Sequence, residues 1–147
     1  MNSVIEELLV LHSEEAASRR IEIERSLDEN TPDVDMDETQ LHVALQNLVL
    51  NAFDAMTDGG KLAVRTSIVE RGVEITLIDN GAGIRAEDQA SLFTPFFTTK
   101  ANGTGLGLAL AQQIIHEHRG TIRFASQEAE GTTFRIFLPA ARQEARV

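Results

Sequence analysis

The sequence predicts an α/β protein built as a two-layer sandwich, with a mixed sheet carrying helices on one face. Three observations lead there. Some segments repeat apolar residues with the 3.6-residue period of a helix, and others alternate apolar and polar residues as a half-buried strand does. Their order is helix, strand, helix, two strands, a glycine-rich loop region, helix, two strands. Strands and helices therefore do not alternate one for one, as a doubly wound sheet would require.

Each element has its own signal. Val4 to about Ala17 reads as one helix, with Val4, Leu8 and Leu11 on a common face. "RIEIERSL" alternates as a strand, and "DENTPDVDMD" is polar, contains Pro32 and reads as a loop. The next helix starts at Asp37, whose "DETQ" fits a capping box with Gln40, and runs to about Met56 before "DGG" stops it. "KLAVRTSIVE" and "VEITLID" are strands forming a hairpin across Arg71-Gly72. The region from Asn80 to Thr104 is rich in glycine and threonine and holds a short helix at "AEDQASLF". A strong helix spans Gly105 to His118, with Gly120 expected as the left-handed residue that closes it. "TIRFAS" and "TTFRIFLP" are the last strands, turning near Glu130-Gly131, and "AARQEARV" is a polar tail.

The 147 residues suit one domain, 1–147, with a single core. With no cysteine, disulfide and thiol chemistry are excluded. No apolar run approaches the ~20 residues of a membrane span, and "MNSVIEELLV" lacks the basic start and cleavage site of a signal peptide. A cytoplasmic location is expected. The net charge of −10 disfavours nucleic acid and anionic membrane as partners. It leaves a nucleotide ligand open, because a local site and its metal can still attract phosphate.

Four stretches could carry chemistry. In "LQNLVLNAFDAM", Asn47, Asn51 and Asp54 fall at i, i+4 and i+7, on a face separate from the apolar one. They read either as a solvated stripe or as oxygen ligands for Mg²⁺. "LIDNGAGI" follows an apolar strand and leaves Asp79 at its exit, where a carboxylate can accept from an exocyclic amine. Gly81 and Gly83 would let a flat ligand approach, although "DNG" is also an ordinary turn. "LFTPFFTTK" gathers Phe93, Phe96 and Phe97, three of only seven phenylalanines, as pegs for a cover or as a small satellite core. Lys100 there is a point charge for phosphate or simply solvated. "NGTGLGLAL" exposes backbone amides at Gly103, Gly105 and Gly107 just where a helix begins, which favours an anion. It is neither the dinucleotide fingerprint nor a Walker loop. His116 and His118 are two apart on a helix and point roughly 200° apart, so they do not form a metal pair.

Taken in this order, the motifs resemble those of the catalytic ATP-binding domain of two-component sensor histidine kinases, in the ATPase superfamily shared with gyrase, heat-shock chaperones and mismatch-repair proteins. "NLVLNAFDAM" is similar to the N box, "DNGAGI" to the G1 box, "LFTPFF" to the F box and "GTGLGLALAQQIIHEHRG" to the G2 box. "NAFDAM" with "FFTTK" looks most like the nitrogen-regulation subgroup. The resemblance runs from about Ile5 to Pro139 and implies a Bergerat-type fold with a roughly five-stranded sheet.

It also implies roles. Asn51 would coordinate Mg²⁺, with Asn47 supporting the metal and phosphates. Asp79 would bind adenine N6, with Gly81, Gly83, Ile84 and Thr132 around the base. Lys100 and the backbone of Gly103, Thr104, Gly105, Leu106, Gly107 and Leu108 would hold the phosphates, and residues 84–102 would form an ATP lid. Asn47, Asn51 and Lys100 would be the catalytic group. Many such kinases carry a basic residue at the position of Asp54, so no phosphate contact carries over to it. Clamp-like relatives carry a glutamate at the position of Asn47; an amide is no general base, so poor hydrolysis and better phosphoryl donation are expected.

No histidine-bearing dimerisation hairpin precedes Asp37, so the chain reads as a domain cut from a longer kinase, monomeric and unable to autophosphorylate alone. The expected function is to bind Mg-ATP and donate the γ-phosphate to a histidine on the separate dimerisation domain, with a response regulator as indirect partner. The alternatives are a serine protein kinase of the anti-sigma-factor type and a non-catalytic nucleotide-binding module.

Overall fold

In the computed structural model, which describes residues 1–97 and 105–141, five strands form one sheet in the order β1-β2-β3-β5-β4. The elements are α1 (Asn2–Leu11), α2 (Ser13–Ser18), β1 (Ile21–Ser26), α3 (Glu38–Ala55), β2 (Gly60–Val69), β3 (Gly72–Asp79), α4 (Ala86–Gln89), α5 (Gly107–Glu117), β4 (Thr121–Gln127) and β5 (Gly131–Pro139). β1 pairs with β2 in parallel and every other pair is antiparallel, which makes the sheet mixed as expected.

Alternation along the strands separates two faces. Val64, Leu77, Phe134 and Phe124 stand in one row, and Ile75, Ile136 and Ile122 in the next. These rows share one core with the buried faces of α3 (Leu41, Leu45, Leu48, Phe53) and α5 (Ala111, Ile114, Ile115). The opposite face carries Arg65, Glu74, Arg123 and Arg135, and Glu74 pairs with Arg135 at 3.3 Å. Helices therefore cover one side and a charged ladder meets solvent on the other.

Asp37 caps α3 as its sequence predicts, its Oδ1 accepting from the Gln40 N–H at 3.1 Å. Asp37→Ala is expected to lower stability by about 1 kcal/mol, or roughly 3 °C in Tm. Urea melts of the two chains check this, and equal midpoints would show that the cap is dispensable.

Five local expectations are corrected. The first helix is two, broken at His12, so that α2 turns back along β1. His12 is buried edge-on to Phe53 and 3.1 Å from the Gln46 amide nitrogen. Next, the β2–β3 turn is residues 70–71, with Arg71 at φ 68°; Gly72 already pairs with Val69. A Cβ at Gly72 would overlap the Leu138 carbonyl oxygen, so its smallness serves packing. The third correction is the end of α5, where Arg119 takes the left-handed conformation expected of Gly120. The N–H of Arg119 donates to His116 O and that of Gly120 to Ile115 O, a Schellman pair. Finally, α4 is shorter than "AEDQASLF", and α5 starts at Gly107 rather than Gly105.

Candidate functional site

β3 ends on Asp79, and the register sets Thr132 of β5 directly beside it on the helix-covered face. Ile75, Leu77 and Asp79 share that face by alternation, so the carboxylate closes an apolar row and is only 5% exposed. Its Oδ1 accepts from the Gly81 N–H at 2.9 Å and the Thr132 N–H at 3.3 Å. Burial pushes the carboxyl pKa upward, and those two hydrogen bonds offset part of the shift.

The loop after Asp79 is wedged between the end of α3 and the β4–β5 turn. The Ala82 N–H donates to Ala55 O at 2.9 Å, and Ala82 O accepts from the Ala129 N–H at 2.7 Å. A Cβ on Gly81 would lie 2.6 Å from Ala55 O. Gly83, at φ +71°, faces the Gln127 carbonyl where a Cβ would stand. Gly81 and Gly83 thus let this loop lie flat against its two neighbours.

α3 supplies the opposite wall. Asn51 and Asp54 line a cavity of about 470 Å³ together with Asp79, Gly83, Ile84, Thr132, Leu92 and Phe97. That size suits a small organic ligand. Asn47 is not among the lining residues. Its Nδ2 donates to Val43 O at 2.9 Å, and its Oδ1 lies 2.9 Å from where a Cβ on Gly107 would be. The shared face read from the sequence is therefore split: Asn51 and Asp54 face the cavity, while Asn47 fits the first residue of α5. α5 begins at Gly107 with Leu106 at its cap position, and the N-terminus of a helix favours an anion. Leu108 packs against the core, and Gly105, at φ +73°, accepts the Phe96 N–H at 2.9 Å. Lys100, Gly103 and Thr104 fall outside the described residues, as do positions 98–102 of the expected lid.

The phenylalanines divide their work. Phe93 packs against Phe124 and Phe134 at centroid distances of 5.8 and 6.4 Å, Phe97 lines the cavity, and Phe96 is 75% exposed. Asp54 pairs with Arg19 at 3.2 Å, and Arg19 also holds Glu15 at 2.9 Å.

Two polar residues near the cavity escaped the sequence reading. Ser126 of β4 receives the Ile84 N–H at 2.8 Å, and Gln89 donates to both Ile84 O and Ser126 O. The signal was present in "TIRFASQ": Ser126 has the parity of Ile122 and Phe124, so it points inward.

Among the described residues no group of three His, Cys, Asp or Glu could hold a metal by itself. The donor set instead fits a hard cation that arrives with a polyphosphate. Mg²⁺ needs one or two protein oxygens and takes the remainder from phosphate and water, and the Asn51 amide oxygen can be one of them.

Known proteins share this fold. Residues 36–142 match the family model described as histidine kinase-, DNA gyrase B- and HSP90-like ATPase. The sensor histidine kinase ZraS of Escherichia coli (strain K12) is 42% identical over 139 residues, which is 95% of this chain and 30% of ZraS. The chain thus spans under a third of that relative's length. A nucleotide-free structure of the catalytic domain of histidine kinase ThkA superposes with a TM-score of 0.85 at 33% identity, covering 95% of this chain and 91% of that one. ThkA in complex with the response regulator protein TrrA matches with a TM-score of 0.81 at 30% identity, over 96% of this chain and 40% of the matched one. The chain belongs to the histidine kinase-, DNA gyrase B- and HSP90-like ATPases, as a histidine kinase catalytic domain.

Proposed function

We propose that this domain binds Mg-ATP in the cavity between α3 and the Asp79 loop and presents the γ-phosphate to a histidine on a separate dimerisation domain. The observation that carries this is the cavity itself. The buried Asp79 carboxylate and the Asn51 amide line it, and one turn before Asn51 on α3, Asn47 lies against the N-terminus of α5. The base takes the Asp79 side, because a neutral ring loses little on leaving water while phosphates lose much. Asp79 accepts from the adenine amine, and Gly81, Gly83, Ile84 and Thr132 surround the ring. Asn51 holds Mg²⁺, which neutralises phosphate charge when bound. Asn47 supports that end by fixing the start of α5, and Lys100 with the backbone of residues 103–108 grips the phosphates.

Transfer needs positioning and charge neutralisation more than acid–base chemistry. Neither Asn47 nor Asn51 can take a proton from water, so hydrolysis is slow and an incoming imidazole is the better acceptor. The parent protein is a two-component sensor kinase with a response regulator downstream, this piece is a single cytoplasmic domain, and residues 84–102 form its lid. Among the described residues no helix is long and apolar enough to cross a membrane.

Incubating the chain with γ-labelled ATP and a separately made histidine-bearing hairpin tests the assignment. Acid-labile label on the hairpin histidine is expected. Label on a serine, or nucleotide binding without transfer to any acceptor, overturns it.

A further inference from the structure

The hydroxyl of Thr132 stands beside Asp79 in the cavity, and its polarity decides what the base may present there. A hydroxyl has one proton to donate and two lone pairs to accept. Ser126 makes three contacts, to the Ile84 N–H at 2.8 Å, to Gly131 O at 3.1 Å and to Thr132 Oγ1 at 2.8 Å. The Ile84 amide can only donate, so it occupies one Ser126 lone pair. The Gly131 carbonyl can only accept, so it takes the Ser126 proton. One lone pair remains, so satisfying all three contacts at once requires Thr132 to donate to it.

From this account we infer that Ser126 is a specificity-setting residue: by taking the Thr132 proton it leaves Thr132 Oγ1 an acceptor toward the cavity, so the site selects a base bearing an amine. The inference rests on the ATP reading above and adds the choice among purines. Asp79, Thr132 and Ser126 are register partners on β3, β5 and β4, so the sheet itself sets the three side by side. The Asp79 carboxylate and the Thr132 hydroxyl together present only lone pairs. The two hydrogens of a 6-amino purine complement them. A 6-oxo purine sets a carbonyl oxygen against one of these acceptors, and its N1–H offers one hydrogen where the amine offers two. Ser126 does not line the cavity and acts through Thr132. Gln89, bound to Ile84 O and Ser126 O, holds this corner to the start of the lid.

ATP and inosine triphosphate, which replaces the 6-amine with a carbonyl, test it by calorimetry on the whole chain. The wild type is expected to favour ATP, and Ser126→Ala to narrow the ATP-to-ITP affinity ratio about tenfold, because the released Thr132 hydroxyl can turn and donate to the carbonyl. Loosening of Ile84 in that variant weakens both nucleotides alike and cancels in the ratio. Thr132→Val, which keeps the shape without the hydroxyl, is expected to narrow the ratio by itself, and adding Ser126→Ala to it changes the ratio no further. An unchanged ratio in either single variant, or a further change in the double variant, overturns the inference. A wild type that binds neither nucleotide overturns the ATP reading instead.

Discussion

Without nucleotide, an Asp79→Asn chain melts no lower than its parent, and at neutral pH it melts higher; with Mg-ATP it loses most of the stabilisation the parent gains. The two halves have one cause. Asp79 is buried at 5% exposure, and burial raises its pKa in the fold. A raised folded-state pKa contributes stability below the unfolded pKa and loses it as pH rises through the folded value. Above that window the ionised carboxylate is a cost to the fold, which Asn removes. The amide oxygen can still accept from the Gly81 and Thr132 N–H groups. Binding responds in the opposite sense, because the amide turns a donor toward the adenine amine. A hydrogen bond to a charged acceptor contributes about 2 kcal/mol, so affinity falls roughly thirtyfold. At ATP one hundred times the parent Kd, the parent gains about 2.7 kcal/mol and the variant about 0.9 kcal/mol. Urea melts of both chains with and without Mg-ATP, repeated from neutral to acid pH, read both effects. Parent ATP affinity should fall as pH falls through the Asp79 pKa, and the apo advantage of Asn should vanish there too. A variant that keeps its full ATP response removes Asp79 from the base contact, and one that melts well below the parent without ATP makes the carboxylate structural.

What the sequence could show follows the range of each interaction. Asp37 and Gln40 are three residues apart, and their capping contact forms as read. The strands and the apolar face of α3 also rest on local period, and they appear where expected. The order β1-β2-β3-β5-β4 depends on pairings across the whole chain and has no local signal. The same holds for the kink at His12, which exists because its ring reaches Phe53 and Gln46 on a distant helix. Glycine misled twice in one way: Gly72 and Gly120 were read as turn residues, yet Arg71 and Arg119 take the positive φ. The two glycines are small because the Leu138 and Phe137 carbonyls crowd them. At the candidate site, Asp79 was legible as a carboxylate ending an apolar strand. Ser126 needed the register of β4 against β5, and the separation of Asn47 from Asn51 and Asp54 needed the position of α5.

Gly83→Ala should have the largest effect on the fold of any change near the cavity, because two constraints meet at one residue. The first is local: φ is +71°, where an L side chain costs about 1–2 kcal/mol. The second is packing, since a Cβ would overlap the Gln127 carbonyl oxygen. Backbone movement could relieve either, but the neighbours on both sides are fixed. Ala82 O is bound by Ala129 N–H at 2.7 Å, and Ile84 N–H is bound to Ser126 at 2.8 Å. Moving Gly83 away from Gln127 stretches at least one of these, at about 1 kcal/mol. The expected loss is about 3 kcal/mol, roughly 9 °C in Tm. The loop also forms part of the cavity wall, so the strained chain should bind ATP more weakly than its stability loss alone dictates. The two effects separate in a titration at a temperature where the variant is fully folded. If ATP affinity is intact there, the loop serves the fold and not the base. If it falls while far-ultraviolet circular dichroism matches the parent, the wall between Asp79 and the β4–β5 turn must be in register for the ring to fit.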